Sequence, residues 1–150
     1  MADLFTPIER AIRLFVYRHF LDTARPPDTD MIARDTGVAP PEVASALRRL
    51  ADARALVLAP ASLDIWMAHP FSAVPTAYPV DIQGRTYWAN CAWDAVGVPA
   101  LVGADAGIRT GCADCGDAIA VDIRCGRAES DAVMHFAVPP RRFWDNIAYT

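Results

Sequence analysis

Apolar residues recur at helical spacing from the start of the chain. Ile8, Ala11, Ile12, Phe15, Val16 and Phe20 fall on one face of a 3.6-residue repeat, which predicts an amphipathic helix. Arg25-Pro26-Pro27-Asp28 stops that helix, and Asp28 or Thr29 can cap a second one that runs to about Thr36. Gly37 ends it. Ala39-Pro40-Pro41-Glu42 then opens a third helix through Arg54, with Val43, Ala46, Leu47 and Leu50 as its apolar stripe. The period shortens after that. Leu56-Val57-Leu58 and Ile65-Trp66-Met67 read as two strands around a turn at Pro60-Ala61-Ser62. Three helices and a hairpin are the pattern of a winged-helix-like module, assigned here to residues 1–68.

From His69 onward the elements are shorter. Val80-Asp81-Ile82 and Arg85-Thr86-Tyr87-Trp88-Ala89 predict a hairpin closed through Gln83-Gly84. A helix containing Cys91 follows. Strand candidates come next near Ile108, at 118–123 and at 132–138, and Pro139-Pro140 starts a last helix through Phe143, Trp144 and Ile147. The expected fold class is α+β: the helical module, then a small mixed β-sheet with packed helices over residues 69–150.

Composition narrows the function. The chain has 150 residues, 53% of them hydrophobic, enough for a real core, and no run of the ~18–20 apolar residues that span a bilayer. The opening stretch Met1-Ala2-Asp3-Leu4-Phe5-Thr6-Pro7 is acidic and lacks the apolar core and cleavage site of a signal peptide. The reading is a cytoplasmic protein with no membrane partner. Net charge is −4 and every basic side chain other than histidine is arginine. The third helix of a winged-helix module can enter a DNA groove, and Arg48, Arg49 and Arg54 could touch phosphate. Residues 1–60, however, hold eight acidic and eight arginine side chains, so the module is neutral. That argues against DNA and for a packing or dimerisation role, including a homodimer.

The candidate chemistry centres on Cys91 and Asp94. On a helix, residues three apart share a face with Cβ atoms roughly 5–6 Å apart, which sets a thiol beside a carboxyl group. Such a pair suits capture of a heavy atom together with protonation of a carbon. The alternative is a buried cysteine with a surface aspartate nearby. A helix start would lower the thiol's pKa, while a nearby carboxylate would oppose the thiolate. The loop His69-Pro70-Phe71-Ser72-Ala73-Val74-Pro75-Thr76 is stiffened by two prolines. It offers His69, Phe71, Ser72 and Thr76 as a pocket wall, or else forms a structural turn. Cys112-Ala113-Asp114-Cys115-Gly116 has the spacing of half a zinc site, which Cys125 and His135 could complete. The alternatives are an incidental or redox-active pair and plain structural thiols. No phosphate-binding glycine loop, serine-hydrolase elbow or HExxH motif is present.

Three stretches together resemble the organomercurial (alkylmercury) lyases: Pro70-Phe71-Ser72 through Pro75-Thr76, Tyr87-Trp88-Ala89-Asn90-Cys91-Ala92-Trp93-Asp94, and Pro99-Ala100-Leu101-Val102-Gly103. The likeness covers about Ile65 to Asn146. It implies protonolysis of a carbon–mercury bond in a small-molecule substrate, with Hg(II) as substrate and product and no resident cofactor. Cys91 would be the first mercury-binding thiol, Asp94 the proton carrier and Trp93 part of the pocket. The family's second catalytic cysteine falls just before the segment that reads Met134-His135-Phe136 here. This chain has Glu129, Ser130, Asp131 and Ala132 at that place, with Asp131 closest in register. The departure keeps two further readings open. One is an enzyme of the same fold acting on a non-mercurial small molecule through Cys91, Asp94 and Asp131. The other is a non-catalytic soft-metal-binding protein.

Overall fold

The first helix is set by its own cap. Thr6 accepts from the backbone N–H of Glu9, and the Glu9 carboxylate accepts from the backbone N–H of Thr6, a reciprocal capping box. Behind it the computed structural model forms α1 over Pro7–Thr23, within a description that covers residues 4–148. The N-terminal end of the predicted leaderless stretch, Met1–Asp3, lies outside the described residues. Asp28 caps α2 (Thr29–Thr36), Gly37 closes it in the left-handed region, and α3 spans Pro40–Asp52. Arg49 of α3 donates to Glu9 of α1, and that ion pair holds the buried Glu9 carboxyl below its usual range.

Three short strands follow: β1 (Val57–Leu58), β2 (Ile65–Ala68) and β3 (Phe71–Ser72), forming an antiparallel sheet in that order. A second sheet holds β4 (Pro79–Ile82), β5 (Arg85–Trp88), β6 (Ala106–Gly111), β7 (Ala118–Arg124) and β8 (Arg127–Glu129) in the order β5-β4-β6-β7-β8. Gln83 and Gly84, both at positive φ, make the two-residue turn of the β4–β5 hairpin. Helix α4 (Ala92–Val102) crosses from β5 to β6 and packs on β4 through a face that buries Ala95, Val98 and Pro99.

The fold class is α+β, but the sheet is not mixed. Every paired strand is antiparallel. The α4 crossover would make β6 a parallel neighbour of β5, yet β6 docks on the far side of β4 and meets it antiparallel. Two expectations at the C-terminal end also need correcting. No strand forms at 132–138; pairing with β7 ends at Glu129, and the chain then runs irregularly to Pro139. The last helix is a single 3-10 segment, Pro140–Asp145, which leaves Ile147 beyond it.

One continuous core joins the helices to both sheets. Phe71 is its hub. Its ring stacks on Phe20 at 5.1 Å and lies 5.7 Å from Tyr87. Two tyrosine hydroxyls stitch α1 to the strands: Tyr17 donates to the His69 carbonyl at 2.8 Å and Tyr87 to the Leu21 carbonyl at 2.7 Å. His69 is thereby held from two sides, by α1 and by the β2–β3 turn. No helix among the described residues is long and apolar enough to cross a membrane.

Candidate active site

Strand β5 ends in an aromatic pair, Tyr87 buried and Trp88 half-buried, and the chain turns at Asn90 into α4. Cys91 is the N-cap of that helix and Asp94 sits in its first turn. Both side chains line one cleft of about 220 Å³, together with His69, Asn90, Trp93, Pro140, Phe143, Trp144 and Ile147. A second cleft, about 340 Å³, shares Cys91, Trp93 and Phe143 and continues past Tyr78 and Ala113 to Met134–Val138. Cys91 is half-buried at the junction of the two.

Asp94 is well anchored. Its Oδ2 accepts from Asn90 Nδ2 at 3.2 Å and lies 3.3 Å from His69 Nδ1. Asn90 Nδ2 also reaches the carbonyls of Pro70 and Phe71, each at 3.2 Å, and lies 3.2 Å from His69 Nδ1. With three oxygen acceptors around one NH2 group, the carbonyls of Pro70 and Phe71 and the Asp94 carboxylate, the amide nitrogen must face inward, because the amide oxygen could not pair with them. A donated His69 Nδ1–H to Asp94 fixes the other ring nitrogen as an acceptor. That Nε2 and Asn90 Oδ1 are buried without a protein partner among the described residues. Trp144 stands edge-on to the His69 ring at 5.8 Å and is covered from behind by the Arg54 guanidinium, 5.7 Å from its ring centre.

The Cys91 thiol does not behave as a helix start alone would have it. Burial pushes its pKa above 9.0. The N–H groups of Asp94 and Trp93 pull it down, while the Asp94 carboxylate pushes it up by like charge and by hydrogen bonding. No N–H of the first turn makes a well-formed cap hydrogen bond to the sulfur. The net direction is up, so the expected activation of the thiol by the helix dipole is reversed.

The predicted pocket wall is only partly a wall. His69 and Trp93 line the first cleft. Phe71 is 1% exposed and belongs to the core, because its ring is the one that fits between Phe20 and Tyr87. Ser72 is buried and pairs with the backbone of Val74, and Thr76 donates to the Ala89 carbonyl at 2.6 Å. Those two hydroxyls are used in holding the loop. Asp131 is exposed in the irregular segment after β8 and lines neither cleft.

The Cys₃His zinc site is not assembled. Cys112 and Cys115 sit in the β6–β7 turn, whereas Cys125 sits in the β7–β8 turn at the other end of β7. Seven residues of strand separate them by roughly 20 Å. His135 lines the second cleft instead. Among the described residues no three His, Cys, Asp or Glu side chains are gathered to hold a metal ion, and all four cysteines are free.

Sequence reasoning missed Asn90, the residue that ties Asp94 to the loop, and the cover formed by Pro140, Phe143 and Trp144. Asn90 carried one signal, a lone amide wedged between an aromatic strand and a helix cap.

A family model described as MerB, alkylmercury lyase, matches residues 71–150. Among solved structures, the crystal structure of the mercury-bound form of MerB2 superposes with a TM-score of 0.68 at 25% sequence identity, covering 86% of this chain. The chain spans 61% of the length of that structure. No curated protein matches.

Proposed function

The chain belongs to the alkylmercury lyase family, and on that premise we propose that it cleaves a carbon–mercury bond by protonolysis, with Cys91 capturing mercury and Asp94 carrying the proton. The observation that carries this reading is the joint placement of the two side chains on one cleft wall, with Asp94 tethered by Asn90 and His69.

The chemistry balances with one thiol. An organomercurial R–Hg–X and the Cys91 thiol become the Cys91 thiolate complex of Hg–X and the hydrocarbon R–H. The S–H and C–Hg bonds break while the S–Hg and C–H bonds form, and mercury stays Hg(II). Asp94 accepts the thiol proton as sulfur engages mercury and passes it to carbon, which keeps the electron pair of the broken bond. The raised Cys91 thiol suits this route, since the proton remains in the site until mercury displaces it. Trp93, Phe143, Trp144 and Ile147 give the cleft apolar walls for the hydrocarbon group.

Cys91 is the one cysteine that lines either cleft among the described residues. That observation favours a second reading, in which the same Cys91–Asp94 pair acts on a non-mercurial small organic molecule. The experiment that separates them incubates the reduced protein with methylmercury or phenylmercury and measures methane or benzene by gas chromatography. Release that disappears in Cys91→Ser supports the lyase. If the wild-type protein binds the organomercurial but yields no hydrocarbon, the lyase reading fails and the second stands.

A further inference from the structure

We propose that Cys112 and Cys115 form a dithiol site for Hg(II), placed to receive the cation from Cys91 through the second cleft. The inference rests on the lyase reading for the source of the cation, and on the fold for the site.

The turn between β6 and β7 is a built loop. Cys112 N–H donates to the Asp117 carbonyl at 2.8 Å, Gly116 N–H donates to the Cys112 carbonyl at 2.9 Å, and Gly116 takes the left-handed conformation that closes the turn. This folds Cys115 back toward Cys112, so the two thiols, three residues apart, project from one tight turn. Cys112 is half-buried and Cys115 exposed, so the pair is open to a ligand from solvent. With no third ligand gathered there among the described residues, the site does not suit zinc, which takes four ligands in a closed site. Two soft sulfurs suit a soft cation that is satisfied by two thiolates, and Hg(II) is such a cation.

Topology puts this pair beside the candidate active site. Ala89 N–H donates to the Tyr78 carbonyl and Thr110 donates to the Ala77 carbonyl at 2.7 Å, so the end of β5, the start of β4 and the end of β6 share one edge of the sheet. Cys91 follows β5 and Cys112 follows β6. The two strands flank β4, which sets about 10 Å of lateral spacing between them. Cleft lining agrees: Tyr78, Cys91 and Ala113, the residue after Cys112, all line the second cleft. Asp131 is exposed and lies off both clefts, and Cys125 sits at the far end of β7, so this loop holds the further thiols at the Cys91 end of the sheet.

The transfer is ligand exchange. The Cys91–S–Hg bond breaks and two S–Hg bonds form to Cys112 and Cys115. One of their two protons returns to the Cys91 sulfur, the other goes to solvent as the counter-ligand leaves, and no oxidation state changes. Cys91 is freed for the next substrate.

Reduced full-length protein loaded with one equivalent of mercuric chloride and challenged with rising 2-mercaptoethanol tests the site. A dithiol resists a monothiol by its effective concentration, so stripping half the mercury should need at least about tenfold more competitor for wild type than for Cys115→Ser. Cys115 is exposed, so this variant keeps the fold, and Cys112→Ser should match it. Cys91→Ser should hold mercury as wild type does. Equal retention by Cys115→Ser and wild type overturns the site, as does loss in Cys91→Ser alone. One turnover with phenylmercury, followed by alkylation and peptide mass spectrometry, tests the transfer. Mercury on the Cys112–Cys115 peptide with Cys91 alkylated supports it; mercury retained on Cys91 overturns it. If no benzene forms, the lyase reading falls and with it the transfer, while the mercuric chloride challenge still decides the dithiol.

Discussion

Replacing Asp94 by Asn should move two measurements in opposite directions. The substitution keeps the side-chain shape and removes the charge and the capacity to carry a proton. Burial is the first cause of the raised Cys91 thiol, and the Asp94 carboxylate adds to it by charge and hydrogen bonding. Asn removes that second contribution and keeps the N–H groups of residues 93 and 94, which act the other way. The thiol therefore falls, the thiolate fraction near neutral pH rises, and iodoacetamide alkylates Cys91 faster. Hydrocarbon release should instead slow by about 10²–10⁴-fold, the usual loss on removing a positioned acid–base group, or roughly 3–5 kcal/mol of activation free energy. The fold should survive. Asp94 Oδ2 is held at 3.2 and 3.3 Å by Asn90 and His69, while Asn90 keeps the Pro70 and Phe71 carbonyls, so the loss of stability is about 1–2 kcal/mol. Stopped-time alkylation with mass spectrometry reads the first effect and headspace gas chromatography the second. Release near the wild-type rate, or alkylation no faster than wild type, would refute the assigned proton path.

Other perturbations test the surrounding structure. Because burial raises Cys91 above its ordinary 9.0, alkylation should climb about tenfold per pH unit from neutrality past pH 9, and hydrocarbon release should not follow that climb if Asp94 takes the proton during capture. The same shift has a stability sign: the folded state holds the proton more tightly, so its contribution is full below the unfolded thiol pKa and is lost as pH rises through the folded one. Urea midpoints should accordingly drop above about pH 9. Phe71→Ala removes the ring between Phe20 and Tyr87 and should cost about 3–5 kcal/mol by urea unfolding; a loss under about 1 kcal/mol would show that the hub is elsewhere. Gly97→Ala should stabilise by about 0.5–1 kcal/mol, since the added methyl meets Pro70 carbons at 3.5 and 3.8 Å, an ordinary contact, and the helix gains propensity; a lower melting temperature would mean that Pro70 cannot accept the contact.

What could be read from the chain was what neighbouring residues decide. Asp28 caps α2, Gly37 ends it, and Gln83-Gly84 turns the β4–β5 hairpin, all through contacts a few residues long. The Cys91–Asp94 pair was legible for the same reason, as an N-cap and a first-turn residue of one helix. Features that depend on distant partners were not. Phe71-Ser72 reads as loop because a two-residue strand exists only by pairing with Met67 and Ala68. The alternation at 132–138 mimics a strand, but β8 ends at Glu129 and no sheet neighbour takes the rest. Asn90 has no periodic signature, and its role follows from carbonyls about twenty residues earlier that a turn in the chain brings back to it. The protonation of Cys91 is the sharpest instance. Helix-start chemistry is local and points toward thiolate, whereas burial belongs to the whole fold and points toward thiol. Burial wins here, and it holds the Cys91 thiol above its ordinary range.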